Sequence, residues 1–349
     1  EKAGISSYLK GKKVLVTGCG GSIGSELCRQ IVHFAPAAVT LVDAAESNLY
    51  QIQMEFRHEL KFGAHQAILG KVQDERLMHD IFQHYRPDVV FHAAAYKHVP
   101  MLDVNPWEAV FNNIVGSRVV IEAARESGVD RFVLVSTDKA VRPTNVMGAS
   151  KRVAELILQS QPRTPTTFMA VRFGNVLGSA GSVVPLFRRQ IEKGGPVTVT
   201  HPDVTRYFMI IPEACQLILQ AGSLGAGGEV FVLDMGTPIR IADMARDLIR
   251  LSGKEPDRDI QVVFTGLREG EKLFEELITQ GEDILPTRHD KIKMLKVDPL
   301  KDMSAPTDSL RAGLDALCAA AAAHDAGAVK KMLHELVPEY SIQTTGSVL

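Results

Sequence analysis

The stretch KVLVTGCGGSIGSELCRQI, Lys13 to Ile31, decides the fold. It opens with the β-branched and aliphatic residues of a buried strand and closes with the apolar spacing of a helix. Between them stand Gly18, Gly21 and Gly24, spaced three apart. Glycines so placed permit a tight turn, close approach of backbone to a pyrophosphate, and packing of helix on strand, with the phosphates at the helix N-terminus. Ser22 and Ile23 open that helix and belong to the same expected cradle. An ordinary glycine-rich turn is the plainer reading, but strand, loop and helix in this order favour a dinucleotide.

Asp43 closes the second apolar run about twenty residues after the loop, where a carboxylate can accept from the adenosine ribose. Ala44 and Ala45 follow it where an arginine would be needed for a 2'-phosphate, so NAD is expected rather than NADP. Asp74, after the third run, sits at a height suited to the adenine amino group, and capping of the next helix would explain it equally well.

The short runs KVLVTG, AVTLVD, HQAILG, DVVFHAAA and RFVLVSTD alternate with helix-length segments. Continuous apolar strands separated by helices imply a doubly wound parallel sheet of Rossmann type. After TFMAVRFGNVLG, proline and glycine punctuate shorter elements, which suggests a smaller C-terminal α/β lobe and a cleft between lobes. The segment LRAGLDALCAAAAAHDAGAVKKMLHELV reads as two helices that break near Gly327.

Composition adds mainly exclusions. Lys plus Arg number 39 against 41 Asp plus Glu, a formal charge of -2 that gives no reason to expect nucleic acid as partner. The four cysteines are scattered without the close pairs of a metal site and read as reduced thiols of a cytoplasmic protein; no metal is expected. No apolar run is long enough to span a bilayer, so this chain itself is expected to make no membrane contact. The start EKAGISSYLKGKK has neither an initiator Met nor a signal-peptide core and suggests a piece of a longer chain.

HAAAYKHV ends the fourth strand with small residues, among them Ala93 and Ala94, as a surface beneath a cofactor requires, and Lys97 and His98 follow at its carboxyl end. The fifth strand delivers Ser136, Thr137, Asp138 and Lys139 to the same edge, where open α/β sheets bind ligands. Asp and Lys so placed are hard to explain by packing, although a surface ion pair would account for them. In STDKAVRPTNVMGASK, Lys151 is preceded four positions earlier by Met147, where a proton-exchanging tyrosine would be sought.

These residues resemble the extended short-chain dehydrogenase/reductases, and within them the large bacterial UDP-N-acetylglucosamine 4,6-dehydratases. The resemblance runs from TGCGGSIG through STDK, the M-x-x-x-K spacing and RFGNVLGSAGSVVPLF to GLREGEKLFEEL. That group is similar in having Met at the tyrosine position, which makes Met147 a marker of the group. The resemblance implies NAD-dependent C4 oxidation, loss of water across C5–C6 and hydride return to C6 of UDP-N-acetylglucosamine or a close UDP-hexose. It further implies retained C5 configuration, a role in surface polysaccharide or glycan synthesis, a homo-oligomer, and anchoring of the full-length protein in the inner membrane by a segment absent here.

Residues 1–175 would then mainly form the NAD-binding domain and 176–349 mainly the nucleotide-sugar lobe, with the chain crossing between them. Lys139 is the candidate C5 base and Asp138 the candidate acid at the C6 hydroxyl. Lys139 must be neutral and Asp138 protonated when they act, so the two are expected to point to different substrate atoms. Thr137, or a water relaying to Asp138, would take the C4 proton, and Lys151 would hold the nicotinamide ribose. The resemblance places Asn175 and Ser182 along the diphosphate and uracil, Arg206 and Arg268 as a diphosphate clamp, and Lys97 near the sugar. The segment NPWEAVFNNIVGSRVVIEAARES is a candidate dimer helix, with burial against the sheet explaining the same periodicity. A UDP-hexose 4-epimerase and a catalytically decayed NAD-binding regulatory protein are the competing readings.

Overall fold

A computed structural model describes residues 2–162, 164–278, 284–295 and 307–342; the rest of the expected 176–349 lobe lies outside the described residues. The five apolar runs become strands β1 (Lys13–Thr17), β2 (Ala38–Asp43), β3 (His65–Leu69), β4 (Val89–His92) and β5 (Arg131–Val135), followed by β6 (Thr167–Arg172). All six are parallel, in the spatial order β6, β5, β4, β1, β2, β3. The chain then returns to this sheet: Glu229–Leu233 adds parallel to β6, and Ile292–Leu295 and Ile284–Pro286 extend the edge antiparallel.

Successive side chains of a strand point to opposite faces, so an uninterrupted apolar run feeds two cores at once. Leu15, Val90, Phe132 and Leu134 enter one core, while Val14, Val16, Phe91 and Val133 enter the other. A third apolar cluster, around Phe187, Ile191, Val197, Val199, Ile241 and Ile249, is the smaller lobe. Its parts are the helices Val183–Glu192 and Ile241–Leu251 and the short strand pair Val197–Val199 and Val262–Phe264. The strand order reverses about β1 and β4, which places a crevice at their carboxyl ends.

The C-terminal helices run Thr307–Ala322 and Ala326–Leu336. Their break falls, near Gly327 as expected, at His324, whose φ is 53°, and at Asp325, which caps the second helix; Gly327 itself lies inside that helix's first turn. The expected dimer helix is two helical stretches joined through a wider turn, Val110–Val115, before Gly116–Glu126. Its outer face is partly covered from within the chain. The Trp107 ring lies 4.8 Å from that of His324, and Arg118 approaches Asp315 at 3.9 Å.

Candidate active site

The loop after β1 has the geometry that its glycines imply. Gly18 has φ +66°, and a Cβ there would come 2.6 Å from the Ala94 nitrogen, so Ala94 forms the floor beneath the turn. A Cβ on Gly24 would lie 2.0 Å from the Gly18 carbonyl oxygen, which fixes the helix Ser22–Val32 hard against the strand end. At Gly21 the only near atom would be that oxygen, at 3.3 Å, and no side chain caps the helix. Gly21, Ser22, Ile23 and Gly24 line a cavity of about 900 Å³, together with Ala93. An uncapped helix end and a glycine open toward a cavity fit an anionic phosphate group. Gly20 was not singled out from the sequence, yet its Cβ would meet the Asn48 Cβ at 2.5 Å; a fourth glycine in TGCGGSIG was the available signal.

Asp43 splints this loop. Its Oδ2 accepts from the Gly20 N–H and its Oδ1 from the Ala45 N–H, both at 2.8 Å. Each carboxylate oxygen keeps a lone pair for a further donor. Asp74 caps the helix Glu75–Tyr85 by accepting from the Leu77 N–H at 3.0 Å. Neither aspartate lines the main cavity.

Beyond β5 the backbone is extended at Thr137 and then tightens into a single turn, Asp138–Ala140. Thr137, Lys139, Met147 and Lys151 line the cavity. Met147 and Lys151 stand one helical turn apart on the helix Val146–Gln159 and are both buried. Gly148 between them lets the helix touch the turn Asp138–Ala140, since a Cβ there would be 2.1 Å from the Lys139 carbonyl oxygen. Burial brings the Lys151 ammonium down to about 8, with Glu155 opposing the fall. His92, behind this wall, is held neutral by burial and by Lys151, its pKa pushed down to about 3.

The expectation that Asp138 and Lys139 point to different atoms is not met. Lys139 Nζ donates to Asp138 Oδ1 at 3.0 Å and to Asn175 Oδ1 at 3.1 Å. Adjacent residues on a strand face opposite ways, but a tight turn of about three residues per revolution swings them together. Desolvation favours the neutral amine, yet Asp138 and Glu275 together outweigh it and raise the Lys139 pKa. The Thr137 hydroxyl also donates to Asp138 Oδ1, at 3.0 Å, while Oδ2 is buried without a partner among the described residues.

The substrate-side residues converge on the same space: Lys97, Asn175, Ser182, Arg206 and Arg268 all line the cavity. Ser182 Oγ is buried and unpartnered among the described residues. The loop carrying it folds over the phosphate loop, with the Ala180 N–H donating to Ser22 Oγ at 3.2 Å, and Gly181 packs on the His98 ring. Lys97 is exposed at the rim, its pKa lowered by partial desolvation. Arg206 is already engaged, donating to the carbonyls of Thr205 and Leu273 and to Glu271 Oε1 at 3.2 Å. Glu271 also takes the Thr200 hydroxyl and the Arg268 N–H, so Thr200 braces the carboxylate that holds Arg206. Glu271 and Glu275 are carboxylates that the sequence reading passed over, although GLREGEKLFEEL displays them. Among the described residues no cluster of three or more His, Cys, Asp or Glu is placed to hold a metal ion.

The fold and the phosphate loop are those of a Rossmann-type α/β protein of the short-chain dehydrogenase/reductase kind. The chain belongs to the polysaccharide biosynthesis protein family, whose pattern matches residues 14–297. It is 51% identical over 304 residues to the capsular polysaccharide biosynthesis protein CapD of Staphylococcus aureus, covering 85% of this chain and 50% of that protein. The chain spans about half the length of the curated relatives first matched. Among solved structures, Pen of Bacillus thuringiensis superposes with a TM-score of 0.77 at 34% identity, covering 84% of this chain and 90% of that one. The dTDP-glucose 4,6-dehydratase DesIV of Streptomyces venezuelae, solved with NAD bound, shares the fold with a TM-score of 0.67 at 22% identity, covering 76% and 87%. Proteins titled epimerases are also among the neighbours. No helix among the described residues is long and apolar enough to cross a membrane.

Proposed function

We propose that the protein is an NAD-dependent nucleotide-sugar 4,6-dehydratase acting on UDP-N-acetylglucosamine or a close UDP-hexose in surface polysaccharide or glycan synthesis. The observation that carries this reading is a contiguous hydroxyl, carboxylate and amine: Thr137 and Lys139 line the cavity that the phosphate loop opens into, and the buried Asp138 carboxylate lies behind them, hydrogen-bonded to both. An epimerase needs no such adjacent acid and base. NAD, when bound, supplies the acceptor for the C4 hydride and gives the same hydride back at C6. Gly18, Gly21, Ser22, Ile23 and Gly24 would hold its phosphates, Asp43 its adenosine ribose, Asp74 the adenine edge, and Lys151 the nicotinamide ribose.

The residues then divide the proton work. Thr137 takes the proton of the C4 hydroxyl and passes its own to Asp138 Oδ1, along the hydrogen bond already present. Asp138, so protonated, is the acid that the C6 hydroxyl needs to leave as water. Lys139, once neutral, removes the C5 proton, which the C4 ketone has acidified. Arg206 and Arg268 hold the diphosphate beside Ser182 and Asn175, with Lys97 near the sugar. Anchoring of the longer protein at the bacterial inner membrane, and its assembly as a homo-oligomer, belong to the same reading. Incubation with UDP-N-acetylglucosamine and NAD should give a product lighter by one water in mass spectrometry. An isomer of equal mass would mean an epimerase, and unchanged substrate would sink the reading.

A further inference from the structure

Glu275 is 8% exposed and comes from the smaller lobe, far along the chain from the catalytic turn. Its Oε1 stands 3.8 Å from Lys139 Nζ and equally 3.8 Å from Arg206 Nε, while its Oε2 is buried with no hydrogen-bond partner among the described residues. We propose that Glu275 is the shared counter-ion of Lys139 and Arg206, a positioning residue that joins the base of the dehydration step to the diphosphate clamp. This inference takes the roles of Lys139 and Arg206 from the function proposed above.

The placement is built rather than incidental. Arg142 pairs with Glu276, Lys272 Nζ donates to the Val141 carbonyl at 2.8 Å, and the Thr144 hydroxyl donates to the Gly270 carbonyl at 2.8 Å. The segment bearing Glu275 is thus stitched to the turn bearing Lys139 on both sides. At 3.8 Å the carboxylate is beyond hydrogen-bonding distance, so it acts on Lys139 through charge. Five charged groups meet here: Asp138 and Glu275 about Lys139, and Arg206 beside them, itself faced by Glu271. Two anions about one ammonium hold the proton on Lys139, and Arg206 works against them.

The test reads Lys139 directly. Trace acetylation by acetic anhydride at a series of pH values, quantified on the Lys139 peptide by mass spectrometry, gives the pH at which that amine becomes reactive. Its side chain is 18% exposed and lines the cavity, within reach of a small reagent. Glu275→Gln should lower that midpoint by about one pH unit; an unmoved midpoint in the folded variant overturns the proposal. Glu275→Asp, with the carboxylate drawn back, should give a smaller fall, and it decides the matter if the glutamine variant does not fold. Where turnover is measurable, the rising limb of kcat against pH should move by the same amount. Because labelling uses no substrate, a wild-type protein inert toward UDP-sugars would defeat the proposed function and leave this measurement standing.

Discussion

Glu155 and Arg172 meet at 2.7 Å in an ion pair that solvent does not reach. Ser136 donates to the same carboxylate at 2.6 Å, so Glu155 fastens the ends of both β6 and β5 to the helix that carries Met147 and Lys151. Geometry at the cavity edge that Met147 and Lys151 line therefore depends on a charge pair behind it.

Glu155→Gln would leave Arg172 buried without its counter-charge and should cost about 3–5 kcal/mol in denaturant unfolding. Burial works to raise the Glu155 pKa, but Arg172, Arg152 and Ser136 outweigh it and hold it down to about 2, against an ordinary value of 4.5. The folded pKa is the lower one, so this stabilisation is complete above 4.5 and is lost as pH falls toward 2. The glutamine variant should show a flatter stability profile across that window, and an equally steep one would refute the assignment.

Gly24→Ala and Gly21→Ala should behave oppositely. The first forces a Cβ against the Gly18 carbonyl and should destabilise by a few kcal/mol, on the order of an overpacked core. The second should fold with nearly unchanged stability while weakening NAD about tenfold or more, because its methyl enters the phosphate space. Thermal melts paired with cofactor titration separate the two effects.

NAD affinity should fall as pH rises through about 8, where Lys151 loses its charge and with it its strength as a donor to ribose. Lys151→Met should bind NAD about tenfold more weakly and without that pH dependence. The same lysine has a lowered folded pKa, so its contribution to stability rises with pH between about 8 and its ordinary 10.5. A wild-type affinity that is flat from pH 7 to 9 would remove Lys151 from the cofactor site.

Lys139→Ala should abolish loss of water while leaving some C4 oxidation, visible as a transient rise in reduced-cofactor absorbance. Full turnover in that variant would take Lys139 out of the chemistry. Met147→Ala should keep activity within about tenfold, the effect of loosened packing only. Complete loss with an intact fold would show that the thioether does more than fill space.

The parallel sheet and the phosphate loop were legible because both are local: an apolar run states its own burial, and the glycine spacing states its own turn. Lys97, Lys139, Met147, Lys151, Asn175, Ser182, Arg206 and Arg268 do gather around one cavity. What the sequence hid depends on contacts between distant segments. Gly148 reads as one more helix glycine until the Lys139 carbonyl is found against it. Glu271 and Glu275 read as a solvated acidic run until Arg206 and Lys139 are found facing them. The contact of Asp138 with Lys139 was misjudged because a strand end was extrapolated straight on, where the chain instead coils.

The ion pair between Arg142 and Glu276 joins residues 134 positions apart. A ribosome therefore exposes the phosphate loop and most of the parallel sheet well before the segment that finishes the reactive centre has been made. Contacts of such long range form late, since the entropy of closing the intervening loop must be met first. The nascent chain can acquire a nucleotide cradle before the surroundings of Asp138 and Lys139 are complete, which makes the charge cluster about Lys139 the last part of the cavity to mature.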